Sequence, residues 1–551
     1  MKIRIIKQII AIYILFIPAD FLAQDLQDWG VYQDIKNEAV QRIEQHRKGD
    51  VTLKINFPNQ EIATNTQVRV KLIRHDFKWG AVVKPSFVTS PYSDNYKETF
   101  LKYFNATGFN IALKPKHRGT QTEEITETIA MPWFLENDIY VRGHTLAWEG
   151  IKYIRPEDKD IYNDISLSDQ EKGDSLLKSC GKHFSHAIPK WDVKCWDVSN
   201  EPITNNLINN LLPTLNTHVH WFKLADSIRS KHGKEEVLLY QNDYQIITAI
   251  SSWALNFTKP GYSAVGRPAL YREILDDQLA LGAPIEGIGF QSRIKAGLIT
   301  PEKIYKRLCD FDRINLPYQA TEFEIRDDSN KHVYSDEERR ILTEYMMVMY
   351  FSHPKVTGFW YWTFADSKSN EDRDYSLFNY DGSPKVNGQI WIELMEGFFT
   401  TEEVLVTNTL GEVNLRGYFG SYEAVANIEG NVLRGAFTID STNSDPTQQV
   451  HLELDSSAAN ADVRNIKESI QIRHNLQESH VDIRIQAELL HARQLQVEFL
   501  DVQGRVIHKE SLIHPRTTIP IEKINTIGYS IAVVKNIRTG ERLAAEPIIL
   551  M

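Results

Sequence analysis

Between Phe77 and about Thr400, short apolar runs alternate with longer stretches whose apolar positions recur every three or four residues. The short runs have the length and the β-branched and aromatic content of buried strands, and the longer ones have the period of a helix. That alternation is the βα signature of a parallel sheet. It predicts strands at 79–83, 110–113, 139–144, 195–200, 237–242, 287–291, 318–323 and 358–362. Eight βα units in about 325 residues predict an α/β fold, a TIM (β/α)8 barrel, with its reactive groups at the carboxyl ends of the strands.

The flanks have a different pattern. A charged helical stretch runs from Asp25 to Lys48 and stops at Gly49-Asp50. Residues 51–55 and 67–72 alternate with period two and read as paired strands around a polar turn. After the barrel, 413–415, 423–428 and 434–439 read as strands. These are expected to pack with the strands at 51–75, because a closed barrel brings its ends together and lone hairpins are unstable. Residues 441–447 form a polar linker, and the last hundred residues read as short strands of a small β-sandwich-like domain. The predicted division is a leader at 1–23, a helix and β extension at 24–75, the barrel at 76–400, a β extension at 401–440, a linker at 441–449 and a C-terminal domain at 450–551.

Composition narrows the function. A chain of 551 residues has room for several domains, and its 42% apolar content supports a large core. A net charge of −11 argues against nucleic acid or an anionic membrane as the main partner, whereas a neutral polymer makes no demand on charge. Lys2, Arg4 and Lys7, the apolar run 9–17 and Leu22-Ala23 read as a secretion signal, which predicts a secreted or cell-surface protein. The alternatives are a membrane anchor or a buried first helix. No later apolar stretch is long enough for an integral membrane segment. Cys180, Cys195 and Cys309 cannot all pair and form neither a zinc knuckle nor a CxxC, so this is not a disulfide scaffold.

The candidate chemistry sits at two strand ends. Trp196 and Val198 belong to a strand, and Pro202 cannot donate to a ladder, so pairing should end at Glu201 with Asn200 beside it. About 120 residues later a second short strand carries Glu322 near its end. Two carboxylates on separate strand ends suit glycoside hydrolysis, one to protonate the leaving oxygen and one to attack the sugar or activate water. His183 with His186, and His218 with His220, lie in helical segments without a matching carboxylate motif and make weak metal ligands. No phosphate-cradling loop, nucleophile elbow or dinucleotide fingerprint is present.

The segments Trp196-Asp197-Val198-Ser199-Asn200-Glu201 and Thr321-Glu322-Phe323-Glu324 resemble the W-D-V-x-N-E and T-E-x-D motifs of glycoside hydrolase family 10, typified by endo-β-1,4-xylanases. The resemblance also runs through Gly143-His144-Thr145-Leu146-Ala147-Trp148, Asn242-Asp243-Tyr244, Gly287-Ile288-Gly289-Phe290-Gln291 and Gly358-Phe359-Trp360-Tyr361-Trp362, and covers residues 35 to 440. It implies that Glu201 is the acid/base and Glu322 the nucleophile, with a carboxyl separation of about 5–5.5 Å for retention. It implies that Asn200 bonds the sugar 2-OH, that His144, Trp148, Lys114 and Gln291 hold the sugar, and that Trp362 packs on it. Tyr244 joins them on a weaker match. The expected partner is xylan or a related plant cell-wall glycan, and no cofactor or metal is expected.

The chain also departs from that pattern. Arg293 stands where the family has a His that bonds the nucleophile, and Glu324 where it has that His's Asp partner, so an Arg293–Glu324 ion pair is expected. Ile111 stands where an Asn is usual, and Asn370 where a second Trp is usual after Asp366. These departures leave two rivals open: action on another β-1,4-linked or decorated polymer, and a binding protein that has lost turnover. Beyond the barrel, Leu415-Arg416-Gly417-Tyr418-Phe419-Gly420-Ser421-Tyr422 resembles an R-G-F-x-G-x-Y element of one branch of the family. The stretch Leu495-Gln496-Val497-Glu498-Phe499-Leu500-Asp501-Val502-Gln503-Gly504-Arg505-Val506, with Gly528-Tyr529-Ser530, resembles sorting domains of the type IX pathway without their usual P-N-P start. That would make secretion machinery a partner. The alternative is a carbohydrate-binding module, which the lack of an obvious aromatic platform disfavours.

Overall fold

The computed structural model describes residues 26–551 apart from 369–373, 429–430, 442–446, 455–469, 476–479, 486–494, 502–504, 513–515, 525–527, 537–541 and 551. The leader at 1–23, Asn370 and most of the linker lie outside the described residues. The strands up to the end of the barrel are β1 (Lys48–Asn56), β2 (Gln67–His75), β3 (Lys78–Val83), β4 (Ala106–Phe109), β5 (Tyr140–Ala147), β6 (Cys195–Asn200), β7 (Leu238–Asp243), β8 (Gly287–Phe290), β9 (Arg293–Ile294), β10 (Tyr318–Ile325) and β11 (Val356–Trp362).

Strands β3, β4, β5, β6, β7, β8, β10 and β11 pair in that order, each pair parallel, and β11 pairs back onto β3. The sheet is therefore a closed eight-stranded barrel. Every residue of β6 and β10 is buried, as expected for strands covered on both faces. The interior is filled by large rings that need glycines opposite them. A Cβ on Gly143 would lie 2.3 Å from the Trp196 ring, and one on Gly80 would lie 2.4 Å from Trp360. Helices form the outer ring. Those at Asp169–Lys190 and Asp336–Ser352 both start in capping boxes, Ser168 with Glu171 and Ser335 with Glu338.

Two sequence readings change here. The strand expected at 110–113 is β4, at 106–109. Asn110 leaves the ladder with its N–H on the Val83 carbonyl (3.0 Å), and the chain then turns, Lys114 N–H to Ile111 carbonyl (3.1 Å). Ala112 and Leu113 are apolar because the turn is buried, not because it is a strand. The second change concerns β1 and β2, which are not partners.

Past the barrel come β12 (Glu402–Val406), β13 (Glu412–Tyr418), β14 (Gly420–Ile428), β15 (Asn431–Ile439), β16 (Thr447–His451) and β17 (Glu453–Leu454). Strand β1 lies between β13 and β16, and β2 between β12 and β14. Residues 447–454, which straddle the expected boundary at 450, thus pair with β1 and β15. A deletion of 24–75 removes the middle strand of one sheet and an inner strand of the other. Limited proteolysis of that variant is expected to cleave 402–439 at least tenfold faster than the parent. Equal resistance would show that 402–439 does not depend on the strands at 48–75.

The C-terminal strands are β18 (Ile470–Asn475), β19 (His480–Ile485), β20 (Leu495–Leu500), β21 (Val506–Leu512), β22 (Arg516–Pro520), β23 (Gly528–Asn536) and β24 (Arg542–Leu550). They form sheets ordered β18-β19-β22 and β21-β20-β23-β24. Val481, Ile483, Val497, Phe499, Ile519 and Val534 share one separate core, which gives the sandwich-like form. Among the described residues no helix is long and apolar enough to cross a membrane.

Candidate active site

Glu201 follows β6 directly, and its backbone turns out of the barrel in the left-handed region (φ 59°). A non-glycine residue is held there only where its surroundings over-determine it. Here its N–H donates to the Asn242 carbonyl at 2.7 Å. The carboxylate is also fully engaged. Oε1 accepts from Gln291 Nε2 (2.8 Å), and Oε2 accepts from Trp148 Nε1 (3.1 Å) and Asn205 Nδ2 (2.8 Å). Burial and the neighbouring Asp243 push Glu201 up to about 7, against the pull of the Gln291 bond.

Glu322, on β10, is only 2% exposed. Oε1 accepts from Asn242 Nδ2 (3.4 Å), and Oε2 accepts from Arg293 through Nε (3.1 Å) and through Nη2. Burial acts to raise this carboxyl too. The Arg293 guanidinium wins and holds it below the usual carboxylate range. Two buried acids in one site are thus driven to opposite protonation states, Glu201 by burial with the neighbouring Asp243 and Glu322 by the Arg293 guanidinium.

Arg293 also donates through Nη1 to Glu324 (2.7 Å), so the expected ion pair forms and extends to Glu322. The backbone sets it up, because Arg293 on β9 and Glu324 on β10 are register partners. Burial raises Glu324, but Arg293, Lys295 and Arg326 together take it below its usual value. The Arg293 guanidinium sits 4.6 Å from the centre of the Trp362 ring.

Around this pair lie the other sequence-predicted residues. Asn200 Oδ1 accepts from Asn242 Nδ2 (3.0 Å), while its own Nδ2 is buried without a partner. His144 places Nε2 3.9 Å from Glu322 Oε1 and its Nδ1 2.7 Å from Asp197. The carboxylate can only accept, so Nδ1 carries the ring proton. Burial first, then Lys114, keeps the imidazole neutral. Lys114 Nζ stands 4.7 Å from the Trp148 ring and 5.7 Å from that of Trp362, and burial lowers it to about 8. Tyr244 Oη is 3.2 Å from Thr204 Oγ1 and its ring lies over Arg267 (3.9 Å).

Several contributors were not singled out from the sequence. Asn242 binds both Asn200 and Glu322 and takes the Thr321 hydroxyl on its Oδ1 (2.8 Å). Asp197 orients His144 and pairs with the buried Arg142. Tyr153 stacks on Trp148, ring centres 3.4 Å apart. Asn205, four residues past Glu201, is the one that helical spacing would have found; nothing in the sequence marks Tyr153.

Two of the four histidines weighed as metal ligands are engaged elsewhere: His186 with Glu123 (2.6 Å), and His218 with Ser199 (2.8 Å) and Asn206 (3.0 Å). Among the described residues Cys309, Asp312 and His353 also cluster, at the amino-terminal ends of β10 and β11. His353 Nδ1 accepts the Lys355 N–H (3.4 Å), which leaves Nε2 as a donor to Asp312 (3.3 Å). The Lys355 ammonium is 3.7 Å from the same oxygen, so this cluster is already paired.

A closed parallel barrel with an acid and a carboxylate facing its mouth defines the architecture of a barrel glycosidase. The chain belongs to glycosyl hydrolase family 10, whose model matches residues 70–389. Endo-1,4-beta-xylanase 1 of Arabidopsis thaliana is 24% identical over 415 residues, 74% of this chain and 39% of that protein. The anti-sigma-I factor RsgI6 of Acetivibrio thermocellus is 24% identical over 421 residues, 74% of this chain and 49% of that protein. The thermostable celloxylanase of Thermoclostridium stercorarium is 25% identical over 283 residues, 49% and 68% respectively. The chain thus spans between about a third and a half of the length of the first curated relatives it matches. Among solved structures, xylanase 10B of Thermotoga petrophila RKU-1 is 18% identical over 58% of this chain and 94% of its own, with a TM-score of 0.46.

Proposed function

We propose that the chain is a retaining endo-β-1,4-xylanase acting by double displacement. The carrying observation is the split of the two buried acids, Glu201 toward its protonated form and Glu322 toward its ionised form. Glu322 attacks the anomeric carbon while the glycosidic C–O bond breaks, and the Glu201 proton goes to the leaving oxygen. Glu201 then takes a proton from water, whose oxygen displaces Glu322 from the sugar. The unpaired Asn200 Nδ2 is kept for a sugar hydroxyl, since a buried donor without a partner costs about 1–3 kcal/mol. NMR of xylan hydrolysis tests the reading. The β-anomer should appear first, and α-anomer first would replace it with an inverting mechanism.

One observation favours a second reading. The same guanidinium that ionises Glu322 also makes it less basic, which suits a binder with weak turnover. Binding of xylan without reducing-end release would establish it. On the first reading, the double variant Arg293→His with Glu324→Asp removes the fixed charge beside the nucleophile. Glu322 must be ionised to react, so its raised pKa should move the acidic limb of kcat/KM upward by about one pH unit. An unmoved limb would show that Arg293 does not set the ionisation of Glu322.

A further inference from the structure

We infer that Trp253 is a stacking platform for a sugar ring of the leaving-group portion of the glycan, a reading that rests on the xylanase proposal. Trp253 lies in the long loop at 245–266 that follows β7, on the short helix Ser252–Leu255 capped by Ser251. It is 52% exposed. An exposed aromatic is ordinary on its own. This one is immobilised. Its ring lies within 14° of parallel to Tyr244, centres 6.4 Å apart, and meets the edge of Phe257 at 5.4 Å. Arg267 holds both rings, its guanidinium 3.9 Å from the Tyr244 centre and 5.4 Å from that of Trp253. Arg267 is itself fully buried and tied to Asp243 (2.5 Å) and the Tyr244 carbonyl (3.0 Å). A ring fixed this way loses little freedom when a ligand covers it.

Its place fits the leaving portion. Tyr244 bonds Thr204, three residues past Glu201, and Asn205 next to it bonds Glu201 itself. Glu201 delivers its proton to the oxygen that departs, so a ring linked to Glu201 through Thr204 and Tyr244 is placed to meet the part of the chain that leaves. The flat C–H face of a neutral pyranose is what an open indole face takes there.

The test is the ratio of kcat/KM on xylohexaose to kcat/KM on an aryl β-xylobioside, whose leaving group holds no sugar ring. Trp253→Ala should lower that ratio about three- to tenfold, the value of a stacked aromatic contact, and Trp253→Phe should restore most of it. An unchanged ratio overturns the platform. So does an equal loss in both variants with lowered Tm, which marks Trp253 as structural. If the parent cleaves neither substrate, the xylanase reading fails separately. Calorimetry with xylohexaose then decides the platform, and equal affinity of parent and Trp253→Ala overturns it.

Discussion

Glu322→Gln is expected to lower kcat on xylan by roughly 10^4- to 10^6-fold, the range that loss of a reacting side chain produces in hydrolases, while the protein stays folded and still binds xylo-oligosaccharide. The two expectations go together because of Arg293. Removing the Glu322 charge does not strand that guanidinium, which keeps Glu324 at 2.7 Å. Removing Arg293 instead would leave Glu322 buried and unpaired, a change that costs about 3–5 kcal/mol in comparable settings. The glutamine variant is therefore a chemical lesion, and Tm and calorimetric affinity check that. Glu322→Ala adds a stereochemical test. Azide entering the vacated space attacks an aryl xylobioside from the face Glu322 occupied and should yield the α-glycosyl azide. A β-azide, or residual turnover within about tenfold of the parent, would remove Glu322 from the nucleophile's place.

The sequence carried the barrel and the acids because those features are local. Strands buried on both faces are nearly continuous apolar runs, and seven of the eight predicted ones fall within a few residues of the observed strands. The eighth, β4, is Ala106-Thr107-Gly108-Phe109, too short and too poor in branched residues to stand out beside the apolar turn that follows it. The flanking sheets were harder. Strands β1 and β2 alternate clearly, but their partners lie more than 300 residues away, and period two does not say which strand pairs with which. At the site, motif positions pointed to Glu201, Glu322, Gln291 and His144, which the structure brings together, and the Arg293–Glu324 exchange could be read as coupled. The residues that make the site asymmetric are set by contact across strands. Asn242 reaches Asn200 only because β7 runs beside β6, and Arg293 reaches Glu322 only because β9 runs beside β10.

Glu201→Ala should separate substrates by their leaving groups. On xylan, whose departing sugar oxygen needs a proton, kcat/KM should fall about 10^2- to 10^4-fold. On an aryl xylobioside with an acidic phenol, formation of the glycosyl-enzyme should be nearly intact, because a stable phenolate leaves without help. Its hydrolysis then lacks a base, and azide should intercept it as the β-glycosyl azide, opposite in configuration to the Glu322→Ala product. The pH profile supplies an independent reading. Glu201 must begin protonated, and its carboxyl is lifted to about 7, so kcat/KM on xylan is full below that value and falls as pH rises through it. The acidic limb belongs to Glu322, which Arg293 keeps ionised below the usual carboxylate range. The profile is therefore broad on its acid side, and Glu201→Ala should erase only the basic limb. A basic limb that survives the substitution would assign the proton to another group. Lys114, lowered to about 8 and seated between the Trp148 and Trp362 rings, is the group the site offers for that role.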